Sequence, residues 1–197
     1  MEKSYLINPN LYLRYIGKNI NSMEIYSGVN LTNRIIGDLA WKMLAETLKR
    51  SCANGGKIMF IGNGGSAAIA GHMALDFTNA GKLRAVCFND GPLLTCLAND
   101  YSYEKSFEKA VEMYADKGDV LVAISSSGES RNILNGVASA KKIGCSVITL
   151  SGFSHKNPLV KLGDLNIYVP ILRPNYGPVE IAHYFILHFI LDYINKK

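Results

Sequence analysis

Short apolar runs alternate with longer stretches of helical spacing along most of this chain. Residues 57–61, 84–88, 119–124, 145–150 and 165–169 are apolar over consecutive positions and rich in β-branched side chains. That pattern belongs to strands buried on both faces. The stretches 66–79, 92–98, 103–116, 130–142 and 178–195 carry apolar residues at helical spacing. Upstream, Ile35, Ile36, Leu39, Met43, Leu44 and Leu48 predict a helix over 32–53, which Asn54-Gly55-Gly56 stops. Residues 8–27, polar and aromatic and ending in Tyr26-Ser27-Gly28, read as a further helix. Alternating strands and helices predict an α/β protein with a parallel sheet covered by helices on both faces. The run from Ile181 to Leu191 offers hydrophobics on nearly every side of its helix. It lies deep in the core or packs against another copy, so a homo-oligomer is expected.

Composition narrows the class. At 197 residues the chain is one domain, able to bury a sizeable core, and no internal repeat or low-complexity segment divides it. Hydrophobic content of 48% with 19% charged residues describes a soluble globular protein. No apolar run reaches the ~18 residues that would span a bilayer. Met1-Glu2-Lys3-Ser4-Tyr5 lacks an apolar signal core, so a cytoplasmic location is expected. Cys52, Cys87, Cys96 and Cys145 show no C-x-x-C spacing, and Cys87 and Cys145 fall in predicted strands, where a thiol behaves as a small hydrophobe. The net charge of +5 is spread along the chain rather than gathered into a stripe. That favours small anions over nucleic acid as partners.

Two turns carry the candidate chemistry. Gly62-Asn63-Gly64-Gly65-Ser66 follows the strand at 57–61, and Ser125-Ser126-Ser127-Gly128-Glu129-Ser130 follows the strand at 119–124. A strand that ends in small polar residues and opens a helix leaves backbone N–H groups free at the positive helix end, a setting suited to phosphate. Neither turn continues into Gly-Lys-Ser/Thr, and neither fits a dinucleotide fingerprint. A phosphorylated small molecule held between them, at the carboxyl ends of the strands, is the expected ligand.

Polar residues also stand where a core pattern would exclude them. His72 and Asp76 are four apart, on one face of a helix otherwise made of Met73, Ala74, Leu75 and Phe77. Glu180, His183 and His188 interrupt the apolar final helix. Histidine and carboxylate on two helices compose either a divalent metal site or an acid–base pair. Glu180 and His188 are eight residues apart, ~12 Å along a helix axis, so one ion would draw both toward it from either side.

Taken together, four motifs resemble the sugar isomerase (SIS) domain, and within it the phosphoheptose isomerases. They are Gly62-Asn63-Gly64-Gly65-Ser66-Ala67-Ala68, the downstream His72, Ala98-Asn99-Asp100-Tyr101, and Ser125 to Ser130 with Asn132. The likeness runs from about residue 30 to the C-terminus. It implies a single SIS domain over 1–197 with residues 1–30 as an N-terminal helical arm. The implied fold is a three-layer α/β/α sandwich on a parallel, flavodoxin-like sheet, and the implied assembly is a homotetramer with active sites at subunit interfaces. By the same likeness Ser125, Ser126, Ser127 and Ser130 cradle the phosphate, and Asn63, Gly64, Gly65, Ser66, Asn99 and Asp100 line the sugar. The family's metal ligands fall on His72, Asp76, Glu180 and His188, with Zn²⁺ the expected ion. Asp76 and Glu180 also face the substrate, and Asp76 and His188 take the acid–base roles. The implied reaction converts sedoheptulose 7-phosphate to D-glycero-D-manno-heptose 7-phosphate for a surface polysaccharide. The alternatives are a non-catalytic SIS regulator that binds a sugar phosphate or a protein, and an isomerase of another sugar phosphate.

Three positions depart from the family pattern. The helix acid is Asp76 rather than Glu, shorter by one methylene, and Glu180 replaces Gln with an added negative charge. Ala80 stands where the family has a basic residue, with Lys82 and Arg84 as the nearby substitutes.

Overall fold

The computed structural model describes residues 8–28, 31 and 33–196. Seven strands, among them β1 (Glu24–Ser27) and β2 (Asn33–Ile35), form one sheet in the order β2-β1-β7-β6-β5-β3-β4. Five of them, β3 (Ile58–Gly62), β4 (Ala85–Cys87), β5 (Val120–Ser125), β6 (Ser146–Ser151) and β7 (Leu165–Tyr168), run parallel. Numbered among themselves these five have the order 2-1-3-4-5 of a flavodoxin-like sheet, so the connections diverge between β3 and β5. The turns after those two strands are the two predicted from the sequence.

Burial on both faces explains the unbroken apolar runs. Along β3, Ile58 and Phe60 face one core while Met59 and Ile61 face the other. Val120, Val122 and Ile124 of β5 follow the first pair, and Leu121 and Ala123 follow the second. Helices α2 (Asp38–Ala53), α3 (Gly65–Asn79) and α7 (Tyr176–Ile194) close the first core with Leu44, Leu48, Met73, Phe77, Ile186 and Ile190. Helices α4 (Gly91–Asp100), α5 (Ser106–Tyr114) and α6 (Arg131–Ile143) close the second with Leu97, Phe107, Ile133 and Val137. A three-layer α/β/α sandwich results. Cys145 is buried but lies one residue ahead of β6, and Cys87 is in the edge strand β4.

The amino-terminal region corrects the sequence reading. The helix predicted over 8–27 ends early: α1 spans Pro9–Asn21, started by Pro9 and by the Asn8 side chain accepting the N–H of Asn10. Glu24–Ser27 is instead a strand, β1, and Asn33–Ile35 is another, β2, within the helix predicted over 32–53. Both are antiparallel, β1 against β7 and β2 against β1, so the sheet is mixed rather than wholly parallel. The cause is tertiary. Ile25 is the sole buried residue of β1, and its partners Ile167 and Ile35 come from other parts of the chain. Gly37, with φ of 63°, turns the backbone between β2 and α2 in a way that a side chain at that position resists. Residues 1–7, 29 and 30 of the predicted arm lie outside the described residues.

At the amino edge of the sheet a buried carboxylate ties β3 to β5. Asp119, with no exposed surface, accepts the backbone N–H of Lys57 at 2.8 Å and that of Asp116 at 2.8 Å. The Lys57 ammonium lies 2.6 Å from the same carboxylate and 2.9 Å from exposed Asp116. Removing Asp119 strands two backbone donors and leaves the largely buried Lys57 ammonium with only the exposed Asp116 carboxylate. Asp119→Ala is therefore expected to lower the unfolding free energy by about 3–5 kcal/mol. Asp116→Ala, which removes the solvent-exposed partner, should leave stability close to that of the parent protein. Urea titration of the two variants checks this contrast.

Candidate active site

The two turns meet over the switch point. Gly62 ends β3 beneath the backbone of Ser66, with no room there for a Cβ. Gly64, at φ of 55°, opens α3, and no side chain caps that helix start. Across from it, the Ser125 hydroxyl accepts the Gly128 N–H at 3.1 Å and lies 3.5 Å from the hydroxyls of Ser127 and Ser130. Ser126 Oγ is buried and has no hydrogen-bond partner among the described residues. Gly128, at φ of 65°, packs so closely on Asn157 that a side chain would overlap it. A cleft of about 260 Å³ separates the turns. Asn63, Gly64, Gly65 and Ser66 form one wall, and Ser125, Ser126, Ser127 and Ser130 form the other. Tyr176 and Glu180 reach the cleft from α7.

Further along, the same two helices, α3 and α7, bring three metal-ligating side chains together. Asp76 Oδ2 is 3.0 Å from His72 Nε2 and 3.9 Å from His188 Nδ1. One donor atom from each of the three lies within 4.8 Å of the others. The Tyr184 ring packs against both imidazoles, with centroids 5.4 Å from His72 and 4.6 Å from His188. Two imidazoles and a carboxylate at this spacing suit a divalent ion such as Zn²⁺.

The other sequence-predicted residues divide. Glu180 stands outside that three-residue cluster, with its carboxylate against the backbone of Gly65, where a side chain would overlap it. Burial there holds its carboxyl above the usual glutamate range. Asn99 and Asp100 are exposed at the end of α4 and bonded to each other at 3.0 Å, outside the lining of the cleft. Arg84 donates to the Gly55 carbonyl at 2.7 Å, and Lys82 lines a separate groove with Lys49 and Arg50. Neither cation lines the cleft. His183 is wholly buried in the core, 3.2 Å from the Ser151 carbonyl.

Sequence reasoning missed Tyr103 and Tyr176. The Tyr103 hydroxyl donates to Asn63 Oδ1 at 2.8 Å, from a short 3₁₀ turn ahead of α5. Tyr176 gave no signal beyond its place before Gly177-Pro178 at a helix start.

A flavodoxin-like sheet with serine and glycine turns converging at its switch point defines a phosphosugar-binding class, and the family model for the SIS domain matches residues 37–152. Phosphoheptose isomerase from Campylobacter concisus is 37% identical over 174 residues, covering 85% of this chain and 87% of that protein. The phosphoheptose isomerase of Aliarcobacter butzleri is 40% identical, covering 80% and 83%. Among solved structures, a phosphoheptose isomerase from Neisseria gonorrhoeae superposes with a TM-score of 0.71 at 33% identity, covering 80% of this chain and 87% of that one. One from Francisella tularensis reaches 0.78 at 25% identity, covering 99% and 100%. The chain belongs to the phosphoheptose isomerase family of SIS-domain proteins.

His183 gives this region a pH signature. Burial, opposed by its bond to the Ser151 carbonyl, pushes its pKa down to about 4 from the usual 6.5. The folded chain therefore keeps His183 neutral where the unfolded chain takes up a proton. Its contribution is fully present above pH 6.5 and is lost as pH falls toward 4, about 3 kcal/mol in all. Urea midpoints measured from pH 7 to 4.5 should fall less steeply for His183→Leu than for the parent protein.

Proposed function

We propose that this protein is an aldose–ketose isomerase that converts sedoheptulose 7-phosphate to D-glycero-D-manno-heptose 7-phosphate. The observation that carries the reading is the shared framework of two unlike sites. Helices α3 and α7 hold the His72–Asp76–His188 cluster, and the same two helices line the serine-walled cleft through Gly65, Ser66, Tyr176 and Glu180. One end of a substrate is gripped while the other is brought to proton-transfer groups.

The serine turn anchors the phosphate. Ser125, Ser127 and Ser130 converge their hydroxyls, and unpartnered Ser126 Oγ has its hydrogen-bonding capacity in reserve for a ligand. Binding energy gathered at the phosphate then orients the remote carbons. At those carbons Asp76 removes a proton from C1 as the C2 carbonyl oxygen takes one, giving an enediol. A proton is returned to C2 while the C1 hydroxyl gives one up, forming the aldehyde. His188 moves the oxygen-bound protons, and His72, 3.0 Å from Asp76, holds that carboxylate in place. Zn²⁺, held by His72, Asp76 and His188, would supply a Lewis acid that polarises the carbonyl. Glu180 accepts sugar hydroxyls between the two ends. The whole chain acts as one SIS domain, its N-terminal arm contributing β1 to the sheet. Exposed Ile36, Leu39, Ile181 and Phe185 support the homotetramer, with sites at subunit interfaces.

The test is turnover of sedoheptulose 7-phosphate by Zn²⁺-supplemented protein, followed by NMR for an aldoheptose 7-phosphate. Asp76→Asn should lower kcat about 10³-fold, and chelation should abolish product. Absence of product from folded, metal-loaded protein would overturn the assignment. Ser126→Ala separates binding from folding. Its buried hydroxyl has no partner to lose, so the melting temperature should hold or rise while KM rises about tenfold.

A further inference from the structure

The amide of Asn63 is held in one orientation by a chain of hydrogen bonds whose direction is set by the backbone. The Ile133 N–H can only donate, and it donates to Asn132 Oδ1 at 3.0 Å. That fixes which end of the buried Asn132 amide is oxygen. Asn132 Oδ1 then accepts from Asn63 Nδ2 at 2.9 Å, and Asn132 Nδ2 donates back to Asn63 Oδ1 at 2.9 Å. Tyr103 Oη donates to the same Asn63 oxygen at 2.8 Å. Both lone pairs of Asn63 Oδ1 are now used. Asn63 Nδ2 has a second hydrogen with no protein partner among the described residues, and Asn63 lines the cleft.

We propose that Tyr103 is a positioning residue that locks the Asn63 side chain as a hydrogen-bond donor toward an acceptor oxygen of the bound sugar phosphate. Without the Tyr103 hydroxyl, one lone pair of Asn63 Oδ1 loses its donor, and only the paired amide of Asn132 still holds the Asn63 side chain. Tyr103 is 56% exposed, lies outside the cleft lining and, among the described residues, its hydroxyl bonds to the cleft through Asn63, so its role is separable from folding. The spot beside Asn63 accepts a phosphate, carbonyl or hydroxyl oxygen and disfavours a group that can only donate. This assignment deepens the proposed isomerase reading and rests on it for the nature of the ligand.

Two measurements test it. In ligand-free protein, the side-chain ¹H–¹⁵N pair of Asn63, assigned by its loss in Asn63→Ala, should shift in Tyr103→Phe while the melting temperature is retained. An unchanged Asn63 pair overturns the proposal whatever the substrate proves to be. Calorimetric binding of sedoheptulose 7-phosphate should then weaken about fivefold in Tyr103→Phe, the worth of one hydrogen bond. In an Asn63→Ala background, Tyr103→Phe should weaken it no further, since Tyr103 acts through Asn63. An equal loss in both backgrounds overturns the proposal by making Tyr103 an independent contact. In turnover the single variant should raise KM with kcat within twofold. If the parent protein turns over no sedoheptulose 7-phosphate, the isomerase reading fails, while the Asn63 resonance still decides the role of Tyr103.

Discussion

The pairing of β3 with β5 is the constraint on which the rest of the molecule depends. Their register runs from Ile58 opposite Val120 to Gly62 opposite Ile124, so the two strands end side by side. Each then releases a turn of small polar residues, and those turns can face each other only because the strands are adjacent and parallel. At the opposite end, Asp119 binds the Lys57 backbone and ammonium and fixes where the two strands begin. A one-residue slip would exchange the two faces of β5 and drive Leu121 and Ala123 into the wrong core. Stability at one edge and ligand geometry at the other are therefore consequences of the same register.

Helix α7 turns that geometry into a site. Its inner face, with Val179, Ala182, Ile186 and Ile190, is buried against the sheet and fixes the helix lengthwise. Its polar residues are then placed by helical spacing alone. Tyr176 and Glu180 fall beside the serine turn, and His188 falls beside His72 and Asp76 of α3. Glu180 and His188 thus fall at different places, and partial burial disfavours a charge on Glu180, holding its carboxyl above the usual glutamate range. His183, on the inner face, is spent on the Ser151 carbonyl.

Much of this was legible before any coordinates. The five parallel strands, the two turns and the His72–Asp76 pair follow from local pattern, because burial on both faces leaves an unbroken apolar run and helical spacing puts i and i+4 together. What failed locally was the amino-terminal region. Ile35, Ile36 and Leu39 have helical spacing, yet Asn33–Ile35 is a strand because β1 offers it backbone partners and Gly37 breaks the chain behind it. Tyr103 gave no signal either, since its contact with Asn63 spans 40 residues.

The sequence by itself determined the layer architecture, the small polar make-up of the two turns and the identities of the ionisable groups. Those properties reside in short-range periodicity and in side-chain chemistry. Tertiary structure alone decided which of these groups meet: His188 with His72 and Asp76, Glu180 with Gly65, and His183 with the core. The reason is that α3 ends at Asn79 and α7 begins only at Tyr176, and only their packing on a common sheet sets the rotation and height at which their polar residues face one another.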